Sequence, residues 1–264
     1  MKIFYCDDRF EDMMTCIYDA WCYALKEGHD NVRLTRQRDS QENMFDEYVY
    51  VTADKDKVVK VTRSIERDIS RYAFMQVFYA TLSNEEDALD AIYRYLIIGF
   101  KVGERVSQML NDAAVMRMME IKRKVGNEAH FFREFVRFSS IKLNSKIASN
   151  SYEDYYIAHI EPKCNIVNLL GNHFADRMPS ENWCIVDDNR KYAVIHPKDE
   201  EYYFQYLTDR EYDILHQSEE YEDEYTSLWK TFFNAIGIKE RANYRCQRNM
   251  IPIWMRKHAV EFME

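Results

Sequence analysis

Glycine and proline are scarce, six and four in 264 residues. Sandwiches, propellers and solenoids need many glycine-dependent turns, and collagen-like or linker-rich chains need far more of both residues, so these architectures are excluded. Long apolar runs are missing too: the stretch around Ile97 and Ile98 is interrupted by Arg94 and Lys101, too short to cross a bilayer. There is no excess of cations. Lys and Arg number 36 against 45 Asp and Glu, a net charge of −9, so the chain does not coat nucleic acid through bulk charge and any such site is local. No C-x-x-C pair occurs, and Cys6, Cys16 and Cys22 lack the C-x-x-x-C-x-x-C spacing that holds an iron–sulfur cluster, so neither metal nor cofactor is expected. MKIFYCDDRF carries acids where the apolar heart of an export signal would sit. The reading is a cytoplasmic protein without membrane contact, its six cysteines reduced.

What is present is a helical half followed by an alternating half. Residues 2–6 read as a strand, and 9–27 place Phe10, Met13, Met14, Ile17, Trp21, Ala24 and Leu25 on one helical stripe that Gly28 stops. A second strand covers 48–52. The stripe Val58, Val61, Ile65, Ile69, Tyr72, Val77, Ala80 predicts one helix from Asp54 to about Leu82, and Ala88, Ile92, Leu96, Phe100 predict another from an Asn84 cap to Gly103. Gly99 and Gly103 allow close backbone approach, although an ordinary C-terminal cap also explains Gly103. A further helix spans about 112–132. After Phe135 the period becomes two, with strands at 135–138, 155–160, 183–186, 192–196 and 202–206, and one helix at 164–176. Segment 139–152 reads as a loop, and no room for parallel crossovers is seen. The fold class is therefore α+β: a mainly helical part, 1–134, then an antiparallel sheet with packed helices, 135–264, in two domains or one continuous one. A helix near 218–236 and a short basic one close the chain.

Charge is unevenly placed. Residues 199–224 hold eleven carboxylates and one cation, Arg210; residues 239–258 hold six cations and one acid, Glu240. Arg241, Asn243, Arg245, Gln247 and Arg248 surround Tyr244, the mixture of charge, amides and an aromatic that phosphate and base contact needs. Alternatively, this basic segment folds onto the acidic one as an ion-pair network.

Phosphate loop, dinucleotide turn, zinc-helix and nucleophile-elbow motifs are all missing. On the 112–132 helix, Arg123, Asn127 and His130 fall opposite the apolar stripe, while Glu128 falls near it. A carboxylate there reaches water along its stem, meets a cation, or serves a site. His173 and Arg177, four apart with Asp176 beside them, face a site or simply pack. Glu161-Pro162 caps a helix from outside or supplies a base.

Four ordered strings, VGERVSQMLNDAAV, RKVGNEAHFFREFVRF, IEPKCNIVNLLGNHFADRMPSENWCIVDD and IKERANYRCQRNMIPIWMRK, together with the opening YCDDRFEDMMTCIYDAW, resemble a family of bacterial DNA metabolism or repair proteins whose central domain has no known function. The resemblance covers nearly the whole chain. It implies a partner, a radical S-adenosylmethionine protein encoded alongside, and a domain elsewhere fused to a uracil-DNA glycosylase-like one; this chain has no glycosylase motif. The residues it singles out are Arg123, Glu128, His130, Arg133, Arg137, His173, Arg177, Asp187, Arg241, Asn243, Arg245, Gln247 and Arg248. The arginines are expected to hold DNA phosphates, and Glu128, His130 and His173 to line a pocket, where they would be the catalytic groups of a lesion-processing enzyme. A DNA-binding accessory factor, such an enzyme, and a protein–protein adaptor without DNA contact remain the three readings.

Overall fold

The computed structural model describes residues 1–36, 45–144, 152–216, 227–229, 231–232, 235 and 243–262. The chain divides into two compact units, Met1–Asn127 and Glu128–Glu264.

In the first unit, strands β1 (Lys2–Tyr5), β2 (Val32–Thr35) and β3 (Glu47–Tyr50) form a parallel sheet in the order β2-β1-β3. The sequence reading contains β1 and most of β3 but not β2, whose alternation, VRLT, runs for only four residues and is too short to stand out. Helix α1 (Phe10–Glu27) is the crossover from β1 to β2. It buries Met13, Met14, Ile17 and Ala24 of the expected stripe and Ala20 besides, while Leu25 is exposed. Each fully buried large side chain in such a stripe contributes about 1.5–3 kcal/mol. Asp12 is buried beside them, its carboxylate accepting from Arg9 Nε (2.7 Å) and Ala53 N (2.8 Å).

The single helix expected over 54–82 is two, α2 (Lys55–Asp68) and α3 (Arg71–Thr81). Asp54 caps α2 through Asp56 N and Lys57 N, and Ser70, in extended backbone, caps α3 by accepting from Ala73 N at 3.1 Å. Helix α4 (Ala88–Val102) starts after Asp87 rather than at Asn84 and ends on Gly103, whose positive φ of 66° favours glycine and whose N–H closes on Gly99 O. Gly99 is where close approach is needed: a Cβ there would lie 2.6 Å from Ile69 Cδ1. Helix α5 (Ala113–Phe135) begins in this unit and ends in the second.

The second unit is built on a five-stranded sheet, β4 (Ser139–Asn144), β5 (Tyr152–Ile160), β6 (Asn182–Asp187), β7 (Tyr192–His196) and β8 (Tyr203–Tyr206), in sequence order. Three of its four pairings are antiparallel, giving the mainly antiparallel α+β fold read from the sequence. Two expectations are corrected. Residues 135–138 are not a strand, because α5 continues to Phe135 and the strand falls in the segment read as a loop. A parallel crossover does exist: β5 and β6 pair in parallel, joined through α6 (Val167–Arg177). Buried Val167, Leu170 and Phe174 fix α6 to the unit's core, with the Phe138, Phe174 and Trp183 rings 5.3–6.4 Å apart. Helix α7 (Asp209–His216), unforeseen within the acidic stretch, and α8 (Tyr244–Met250), the short basic helix, follow. The helix expected near 218–236 falls mostly outside the described residues.

Candidate functional site

Helix α8 starts at Asn243, whose Oδ1 accepts from Cys246 N at 3.0 Å, so this amide oxygen is spent on capping. Arg245 and Arg248 are exposed, as is Tyr244, and Gln247 is half-buried. Arg248 Nε donates to Tyr244 O, and among the described residues neither guanidinium pairs with a carboxylate. Two of the described acids of the 199–216 stretch have other partners: Asp209 pairs with Lys191, and Glu211 accepts from Thr208. Arg241 and the acids Glu219, Glu220, Glu222, Asp223 and Glu224 lie outside the described residues.

The other candidate arginines divide between scaffold and surface. Arg137 binds Glu261 Oε1 through Nε and Nη2 (3.1 and 2.5 Å) and stacks near Trp229; Arg133 Nη2 donates to Leu169 O (2.7 Å), tying α5 to α6. Arg177, at the end of α6, and Arg123, on α5 in the first unit, are exposed.

Glu128 is buried, 6% exposed, so its carboxylate does not reach water. Nor does it meet an arginine. Its Oε1 accepts from Lys163 N (2.6 Å) and Cys164 N (3.2 Å), pinning the loop that leads into α6. His130 is exposed on α5, one turn before Glu134 and 3.2 Å from it. His173 is half-buried; burial lowers its pKa from the ordinary value, with Arg133 and Arg177 adding to the shift and Asp176 opposing it, so the ring is neutral at pH 7. No hydrogen bond joins these three among the described residues. None of them lines the hollow beside α6, about 820 Å³, whose Asp176, Asp199, Glu200 and Glu201 have the wrong sign for a phosphate.

A different group of side chains converges where β5 and β6 end. His159, the penultimate residue of β5, places Nδ1 2.8 Å from Asp188 Oδ1 and Nε2 3.2 Å from Leu215 O. Glu161 follows β5 and Asp188 follows β6, while His258 Nε2 comes to 3.6 Å from both Glu161 Oε1 and Asp188 Oδ2. His216, at the end of α7, lies edge-on to His159, ring centres 5.5 Å apart. Beside them Asp187, fully buried, is raised from the ordinary carboxylate value by burial, against Arg190, whose Nη1 donates to it at 2.8 Å. Three imidazoles and two carboxylates gathered about Asp188 form a set that can relay protons or hold a cation.

Over residues 86–261 the chain matches the family described as a domain of unknown function, DUF4130. It belongs to that family. No curated protein and no solved structure matches the chain. The DUF4130 region takes in the five-stranded sheet, α8 and all five residues of the His and carboxylate group.

That group escapes a reading by motif because its members are scattered in the DUF4130 sequence, only His159 and Glu161 lying close together, and a lone H-x-E pair is too short to signal a site. The signal that does exist is topological. Once 155–160, 164–176 and 183–186 are taken as a parallel crossover, Glu161 and Asp188 sit at the carboxyl ends of neighbouring strands, where open sheets gather ligands.

Proposed function

We propose that this DUF4130 protein is a DNA-binding accessory factor of DNA metabolism or repair, acting with a radical S-adenosylmethionine partner enzyme in the cytoplasm. The observation that carries the DNA contact is the state of α8: Arg245 and Arg248 stand exposed next to an exposed Tyr244 and pair with no carboxylate among the described residues. Two exposed guanidinium groups about one helical turn apart, neither paired with a carboxylate among the described residues, suit adjacent phosphates, and the tyrosine offers a stacking face to an unpaired base. Arg177 and Arg123 are further exposed cations for the backbone; Arg133 and Arg137 are committed to intramolecular partners. The partner enzyme rests on the sequence resemblance alone. Lesion processing by Glu128 with His130 or His173 has less support, since the Glu128 oxygen is held by two backbone N–H groups.

Fluorescence anisotropy with single- and double-stranded oligonucleotides tests the reading. Arg245→Ala/Arg248→Ala is expected to weaken binding at least tenfold with an unchanged circular dichroism spectrum. Equal affinity of the double variant, or no binding by the parent chain, would reject it and leave the adaptor reading; turnover of a damaged oligonucleotide by this chain alone would favour the enzyme.

A further inference from the structure

Parallel strands end on the same side of a sheet, and β5 and β6 are the parallel pair of this one, in register from Tyr155↔Asn182 to Ile160↔Asp187. Asp188 N donates to Ile160 O at 3.0 Å, which holds the two exits side by side and brings Glu161 and Asp188 together. The Asp188 side chain is 6% exposed, yet its Oδ2 makes no hydrogen bond. A buried carboxylate oxygen without a donor is costly, and here it faces His258 Nε2 at 3.6 Å, as does Glu161 Oε1 at the same distance. These separations exceed hydrogen-bond length but lie close to the edge of about 3.4 Å that a tetrahedral shell with bonds of about 2.1 Å has between its donors.

We propose that Glu161, Asp188 and His258 bind a divalent first-row metal ion, zinc or manganese. Their three donor atoms lie within 4.8 Å of one another. Two carboxylates and one imidazole, without a thiolate, suit such an ion rather than a cluster or monovalent copper. Asp188 Oδ1 is already engaged by His159 Nδ1, whose other nitrogen meets Leu215 O, so His159 is the outer partner that orients the ligand rather than a ligand itself. Lys257 Nζ donates to Glu161 Oε1, and an arriving ion competes with that ammonium. Three protein donors leave a coordination position for water or an anionic oxygen, the open arrangement of reactive sites rather than the closed one of structural sites. None of this depends on DNA binding by α8.

The test is metal binding by the full chain, stripped with chelator and titrated with Zn²⁺, Mn²⁺ and, for comparison, Mg²⁺ by calorimetry, with elemental analysis after desalting. One Zn²⁺ or Mn²⁺ per chain is expected, and Mg²⁺ is expected to bind more weakly. Glu161→Gln and His258→Gln should each weaken binding at least tenfold, and His159→Gln by roughly 10–100-fold through Asp188. Lys257→Ala should tighten binding. Asp188→Asn disturbs a buried group, so the half-buried Glu161 and His258 carry the decision, with circular dichroism of each metal-free variant checking the fold. No ion bound by the parent chain, undiminished affinity in His258→Gln, or a loss confined to His216→Ala would overturn the assignment.

Discussion

A carboxylate on the buried side of a helix has to be matched by donors, and at Glu128 these are Lys163 N and Cys164 N. The sequence marks the residue as anomalous, since it lies near an apolar stripe, but backbone N–H groups of a distant loop carry no side-chain signature, so their pairing is invisible before folding. The residue is thereby a scaffold for the entry to α6. Glu128→Ala strands two donors in a buried place and is expected to cost about 3 kcal/mol, whereas Glu128→Gln keeps an acceptor oxygen and is expected to cost about 1 kcal/mol. Urea unfolding at constant m checks both. Equal losses in the two variants would mean that charge, not acceptance, is what the site requires.

Among the elements, the stripes of α1, α4, α5 and α6 are legible because burial on one face imposes a period, whereas β5 to β8 are legible from their β-branched and aromatic residues, β6 being buried over five consecutive positions. Breaks within a continuous stripe are not. Ile69 serves both the end of α2 and the core, and only the Ser70 hydroxyl on Ala73 N separates α2 from α3. Strand β4, an edge of the sheet, is hidden in the sequence by its polar composition, SSIKLN. The convergence of Glu161 with Asp188 depends on the parallel pairing of β5 with β6, which the short connections of the sequence do not announce. Close packing at α6 was equally silent: a Cβ on Gly171 would fall 2.7 Å from Tyr202 Cε2. Gly171→Ala gains up to about 1 kcal/mol of helix propensity but strains that contact by roughly 1–3 kcal/mol, so a net loss is expected. With Tyr202→Ala in the background the same change should become stabilising, and a double-mutant cycle by chemical denaturation measures the reversal.

At the scale of the molecule, a net charge of −9 opposes any polyanion, so DNA binding through α8 has to work by screening the rest of the chain. At about 0.1 M salt the screening length is about 10 Å, and distant carboxylates are scarcely felt by a phosphate on Arg245 or Arg248; at about 0.01 M it is about 30 Å, and they are. Release of counterions still favours binding as salt falls, with a slope near 0.9 per phosphate neutralised. The two effects act in opposite directions. Affinity is therefore expected to rise as salt is lowered with a shallow slope, of about 2 to 4, and then to flatten or turn over near about 0.02 M. Replacing Arg245 and Arg248 by Ala should remove about 2 from that slope, one per phosphate contact. A steep, straight line down to the lowest salt would instead require many more cations at the interface than α8 exposes, and would move the DNA site elsewhere on the chain.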